Sequence, residues 1–146
     1  MIVGIVGSEA KKFTDATQRL ARNEIRRLLL RPGVTAVSSG HCHLGGIDIW
    51  AEDEADRLGL EKFIYPPADH SWNLGYKPRN IQIAVASDEV WCITVKELPA
   101  EYSGMKFPLC YHCGTTDHVK SGGCWTTKYA RGLGKLGRTI VIGEPE

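Results

Sequence analysis

Apolar residues along this chain recur with two different periods. Ile2-Val3-Gly4-Ile5-Val6 is a short, nearly continuous apolar run ending in Gly7-Ser8, the pattern of a strand buried on both faces that feeds a turn. From Lys11 to Leu30 the apolar positions Ala16, Leu20, Ala21, Ile25, Leu28 and Leu29 return at spacings of three and four, with basic residues between them. This predicts an amphipathic helix, closed by Arg31-Pro32-Gly33. Val34 to Val37 reads as a second strand ending in Ser38-Ser39-Gly40, followed by a loop from His41 to Gly46 and a helix from Ile47 to Leu58 that Gly59 stops. Glu61 to Tyr65 reads as a third strand, ended by Pro66-Pro67 because proline cannot donate to a ladder. Ala68 to Lys77 reads as loop, Pro78 suits the first turn of a helix reaching Ala86, and Asp88 to Val95 reads as a fourth strand.

The alternation then stops. Lys96 to Gly123 has two prolines, several glycines and almost no periodicity, and loops of that length are uncommon unless they bind something or are stapled. A helix from Trp125 to Leu136 and a strand from Arg138 to Ile142 complete the pattern. Strands alternating with helices predict a single α/β domain over residues 1–146: three layers, a mainly parallel five-stranded sheet, and an irregular insert at about 96–123. Right-handed crossovers favour the order 3-2-1-4-5. Ligands in such sheets bind at the carboxyl ends of the strands beside the switch point. There the loops Gly7-Ser8-Glu9, Ser39 to Asp48 and Ser121 to Thr126 meet, all rich in the glycine and hydroxyl groups that hold phosphate.

Charge narrows little. Eighteen basic residues against seventeen acidic give a net charge of +1, which argues for neither a nucleic-acid nor a membrane surface. No long apolar run and no secretory leader are present, so the expectation is a cytoplasmic protein with a small-molecule partner, a homo-oligomer being left open. Five cysteines, at Cys42, Cys92, Cys110, Cys113 and Cys124, form an odd set that reads as metal binding or free thiols before disulfides.

Three of them, with a histidine, carry the most distinctive spacing. Cys110-Tyr111-His112-Cys113, then His118 and Cys124, gives C-x2-C-x4-H-x5-C, a donor set suited to a closed tetrahedral Zn2+ site. His112 competes with His118 as the nitrogen ligand, and spacing favours His118. The series resembles the zinc knuckle of retroviral nucleocapsids with one residue added to the last gap. Its fourth ligand falls inside the Gly-Gly turn of the main domain, which favours a staple over a separate nucleic-acid module. His41-Cys42-His43 reads as pocket lining or solvated residues, and Cys92, inside an apolar strand, as a small buried hydrophobe. Of the tryptophans, Trp91 reads as core and Trp72 as the better candidate for stacking on a base.

The series Gly4-Ile5-Val6-Gly7-Ser8, Ser39-Gly40, Gly45-Gly46-Ile47-Asp48-Ile49-Trp50-Ala51, Tyr65-Pro66-Pro67-Ala68-Asp69, Arg79-Asn80 and Ser121-Gly122-Gly123-Cys124-Trp125-Thr126 resembles the SLOG superfamily. These are Rossmann-like domains that include the LOG phosphoribohydrolases and the Smf-like DNA-processing proteins. The likeness covers most of the chain outside the insert. It implies a nucleotide or nucleotide-derived ligand held by Gly7, Ser8, Gly45, Gly46, Asp48, Arg79, Asn80, Gly122, Gly123 and Thr126, to which the strand-end loops add Ser39 and Gly40. Arg79 reads equally as a phosphate partner or a loop anchor. LOG-type hydrolases carry Pro-Gly-Gly-x-Gly-Thr followed by a glutamate in the same helix. Here Thr127 to Arg131 contains no carboxylate, so an N-glycosidase would have to use Asp48, Glu9 or Asp69. Asp48 reads first as a partner for orphan helix N–H groups. Nucleotide binding, nucleotide N-glycosidic hydrolysis and single-strand nucleic-acid binding through the insert are the three functions the residues allow.

Overall fold

The computed structural model describes residues 1–143, so residues 144–146 of the expected domain lie outside the described residues. The elements are β1 (Ile2–Gly7), α1 (Asp15–Leu29), β2 (Ala36–Ser39), α2 (Ile47–Leu58), β3 (Glu61–Ile64), α3 (Lys77–Ala86), β4 (Glu89–Val95), α4 (Gly123–Gly132) and β5 (Leu136–Ile142). All five strands are parallel, in the order β3-β2-β1-β4-β5, which is the Rossmann-like arrangement the alternation predicts.

Side chains alternate across each strand, so the two central strands feed two separate cores. Val3 and Ile5 of β1 with Ile93 and Val95 of β4 pack under α1 and α2, against Ala21, Ile25, Leu28, Ile47, Trp50 and Ala55. Val6, Val90 and Cys92 face α3 and α4, where Ile83, Ala84, Cys124 and Ala130 meet them together with Cys110 of the insert. One layer of helices therefore covers each sheet face, and the second core continues into the insert.

Several boundaries differ from the periodic pattern, each for a local reason. The first helix begins at Asp15, not Lys11. Thr14 and Thr17 form a reciprocal capping box, the Thr17 amide donating to the Thr14 hydroxyl at 3.1 Å and the Thr14 amide to the Thr17 hydroxyl at 2.8 Å. Residues Ala10–Lys12 form a separate 3-10 turn. β2 starts two residues late because its register with β1 opens at Ile2 and Ala36, while the Val34 amide stays in the preceding turn, bonded to the Arg31 carbonyl. The last helix stops at Gly132, and Gly134 adopts the left-handed conformation that turns the chain into β5 at Leu136. Within the stretch read as loop, Trp72–Tyr76 forms one wide turn in which the Tyr76 amide reaches back to the Ser71 carbonyl at 3.0 Å. It leads directly into α3.

Two glycines decide how closely the elements approach the strand ends. Gly46 caps α2 with φ of 91°, and a side chain there would collide with the Ser8–Ala10 backbone. At Gly123 a Cβ would lie 2.7 Å from the Cys92 sulfur, so only glycine lets the first turn of α4 sit against β4. The insert between β4 and α4 is irregular, with an isolated bridge between Cys110 and Thr115. The Val119 amide ties it back to the end of β4 through the Val95 carbonyl at 2.8 Å.

Candidate functional site

Cys110, Cys113, His118 and Cys124 converge, with one donor atom from each and all four atoms within 4.8 Å of one another. A tetrahedron with metal–sulfur bonds of about 2.3 Å has edges near 3.8 Å, so the group fits one metal ion. The turn that presents the first two thiols is local. The Cys113 and Gly114 amides both donate to the Cys110 carbonyl, at 3.2 and 2.7 Å, and Gly114 takes a φ of 70° to allow it. His118 is oriented by Asp117, whose carboxylate lies 2.8 Å from Nδ1, leaving Nε2 3.6 Å from the Cys124 sulfur. A carboxylate on the far ring nitrogen is the usual way a ligating histidine is fixed in place. Burial pushes the Cys113 thiol up to about 12, and the neighbouring Cys124 and Cys110 sulfurs add to the shift. A hydrogen bond with Cys92 and then burial raise Cys124 as well. Cys113 and Cys124 therefore resist becoming thiolates, and a divalent cation beside them would reverse that preference. Of the two histidines left open by spacing, His118 joins the group. His112 does not.

Beside the cluster, a cavity of about 680 Å³ opens at the carboxyl end of β1, a volume within the range of small-molecule sites. Its floor is Gly7, Ser8 and the turn Ser121-Gly122-Gly123 that starts α4, with Thr126 in the first turn. The Thr126 hydroxyl is fully buried and, among the described residues, has no hydrogen-bond partner. Aromatic groups form another part of the lining: Trp72 and Tyr76 from the wide turn, Trp125 from α4, and Tyr111 and His112 from the metal turn. Trp72 meets Trp125 edge-on at 5.0 Å, and Trp125 stacks on Tyr129 at 5.3 Å. The insert therefore contributes both the cluster and part of the cavity wall.

Asp48 and Arg79 line the cavity together with Asn80 and Cys42. Asp48 sits in the first turn of α2, yet its carboxylate accepts the Cys42 amide at 3.2 Å and so fastens the preceding loop, in place of the helix N–H groups expected from sequence. Burial pushes its carboxyl up to about 6, against the opposing pull of Arg79, 3.9 Å away. Arg79 donates to the Gly40 carbonyl at 2.6 Å and to the Asn80 side chain at 2.8 Å, with its guanidinium over the Tyr76 ring. It is thus an anchor as well as a lining residue.

Of the residues expected at a ligand site, Gly7, Ser8, Asp48, Arg79, Asn80, Gly122, Gly123 and Thr126 line the cavity. Ser39, Gly40, Gly45 and Gly46 do not. The Ser39 hydroxyl donates to Glu52 at 2.8 Å, Gly40 lies under Arg79, and Gly45 and Gly46 pack on the turn after β1. Glu9 lies at the cavity with the Tyr102 hydroxyl 3.4 Å from its carboxylate, while Asp69 is exposed and away from it. In the His41-Cys42-His43 group only Cys42 reaches the cavity. His41 pairs with Glu52 at 2.8 Å and His43 stacks on His70 at 4.1 Å. Cys92 is fully buried in the second core, its sulfur 3.9 Å from that of Cys124. Lys12, Leu44, Tyr76, Tyr111, His112 and Lys120 are lining residues that sequence reasoning did not place there. Trp91 is half-buried, with Arg31 over its ring and its indole N–H donated to Glu89 at 2.9 Å. Among the described residues, no helix is long and apolar enough to cross a membrane. No family model, curated protein or solved structure matches the chain.

Proposed function

We propose that this chain binds a nucleotide or nucleotide-derived small molecule in the cavity, with a zinc ion held by Cys110, Cys113, His118 and Cys124 bracing one wall. The observation that carries the reading is the turn Ser121-Gly122-Gly123, which sets the N-terminus of α4 on the floor of the cavity. A helix N-terminus favours an anion. Phosphate suits that position. The aromatic lining from Trp72, Trp125 and Tyr111 supplies faces for a base. Three thiols and an imidazole are the donor chemistry zinc prefers. The SLOG-like order of motifs agrees with the location.

A second reading, hydrolysis of a nucleotide N-glycosidic bond, draws on one observation: a carboxyl in the cavity, Asp48, poised at about 6, where it could exchange protons at neutral pH. Single-strand nucleic-acid binding has less support, because Tyr111 and His112 of the knuckle-like turn line the cavity.

Mass spectrometry of the purified protein, native and after denaturation, tests the main reading. It should find one zinc per chain and a nucleotide-containing molecule, and calorimetry should show nucleoside monophosphates binding more tightly than inorganic phosphate. Monophosphates binding no better than phosphate would sink it. Release of free base during incubation with nucleoside monophosphates or NAD, lost in Asp48→Asn, would replace it with the hydrolase.

A further inference from the structure

The cavity holds a second cationic feature that a single phosphate on α4 would leave unused. Lys12, in the turn after β1, and Lys120, the residue before Ser121, both line it. The Lys12 ammonium donates to the Lys120 carbonyl at 3.2 Å. The Lys120 ammonium lies 5.0 Å from the Phe107 ring centroid and 5.1 Å from that of Tyr111. Neither lysine forms an ion pair among the described residues. Arg79, the other cation of the cavity, is already engaged by Gly40, Asn80 and Asp48. Two ammonium groups lining one cavity repel each other, and burial lowers the pKa of Lys12; an added negative charge in the cavity relieves both effects. Glu9 is the acid nearest to that role, and it carries a single charge that the Tyr102 hydroxyl also approaches.

The α4 turn and these lysines are contiguous. Ser121 follows Lys120 directly, and both lysines line the same cavity as the Ser121-Gly122-Gly123 turn, so an anion over the turn shares that cavity with both ammonium groups. We propose that Lys12 and Lys120 form a second anion position continuous with the α4 turn, so that the ligand carries a pyrophosphate, as a nucleoside diphosphate or a pyrophosphate-bridged nucleotide does. The nucleoside half of this assignment rests on the nucleotide reading above; the two-anion half does not.

Calorimetry on the metal-loaded protein at fixed ionic strength, with inorganic phosphate and inorganic pyrophosphate as titrants, separates the two halves. Pyrophosphate should bind about tenfold or more tightly than phosphate, as expected for added charge-assisted contacts. The double variant Lys12→Met/Lys120→Met should lose that preference while keeping its metal content. If burial of Lys12 makes the double variant unstable, Lys120→Met alone decides, by losing part of the preference. Equal binding of the two anions, no binding of pyrophosphate, or a preference that survives the substitutions overturns the proposal. Monophosphates binding no better than phosphate, with the pyrophosphate preference intact, would remove the nucleotide reading alone.

Discussion

The β-sheet frame and the insert between β4 and α4 are ordered by different physics. In the frame, Val3, Ile5, Ile93 and Val95 are at most 1% exposed, and each also takes part in the parallel ladder, so burial and hydrogen bonding reinforce one another along the same residues. In the insert Met105, Phe107, Leu109 and Tyr111 are exposed, and backbone pairing is reduced to one bridge and a few turns. What replaces a core there is Cys110, fully buried, and the three other donors gathered around it. The site sits where the two meet: the frame supplies fixed strand ends, and the insert supplies a wall whose position depends on a handful of polar and sulfur atoms.

The largest test of this contrast is to remove the metal site. Chelation, or Cys124→Ser, should abolish metal binding, which in structural zinc sites is worth on the order of 10 kcal/mol. Hydrogen exchange should then accelerate in residues 97–120 while amides of β1 and β4 stay protected, and nucleotide affinity should fall. Unchanged ligand affinity after metal loss would show that wall and frame are independent. A smaller effect of the opposite kind is expected from Ile93→Ala. It should cost about 2–5 kcal/mol in denaturant unfolding while the folded fraction keeps its full metal content; loss of metal before unfolding would erase the distinction. The smallest is a pH effect in the frame. The Asp48 carboxyl is raised in the fold, to about 6 from 3.8, so the native state binds more protons than the unfolded chain between those values. Stability therefore falls as pH rises from about 4 to 6, by on the order of 2 kcal/mol. Asp48→Asn, which can still accept the Cys42 amide, should flatten that slope, measured as melting temperature against pH.

Sheet order and helix layers were readable because buried parallel strands are short apolar runs and their crossovers have one hand. Boundaries were less readable where side-chain chemistry outweighed period. The Thr14–Thr17 box moved a helix start, and Gly134 with Leu133 ended a helix that apolar spacing would have carried to Leu136. The four metal donors were legible because a tight local turn fixes the spacing of Cys110 and Cys113, and His118 and Cys124 follow within the same insert and its junction with α4. The cavity lining was legible only in part. Gly40, Gly45 and Gly46 look like phosphate-binding glycines, but the first makes room for Arg79 and the others for the turn after β1, a need that sequence cannot separate from ligand binding. Lys12, Lys120 and Tyr111 carry no motif; they meet only because the insert folds back onto the turn after β1.

The position of the cluster within the β4 to β5 crossover has a consequence for how the last strand joins the sheet. The connection runs from Val95 to Leu136 and contains α4, and a metal held by the four donors would tie Cys110 to Cys124 within it, shortening the connection to be closed by about a third. Because closure entropy grows only with the logarithm of loop length, that shortening lowers the cost of docking β5 by about 0.4 kcal/mol. On closure entropy alone, the open edge of β4 would be covered almost as readily in a chain without metal as in one with it. Metal could then be gained or lost late, from an already assembled sheet, with little of the exposed-edge aggregation that an undocked strand would invite.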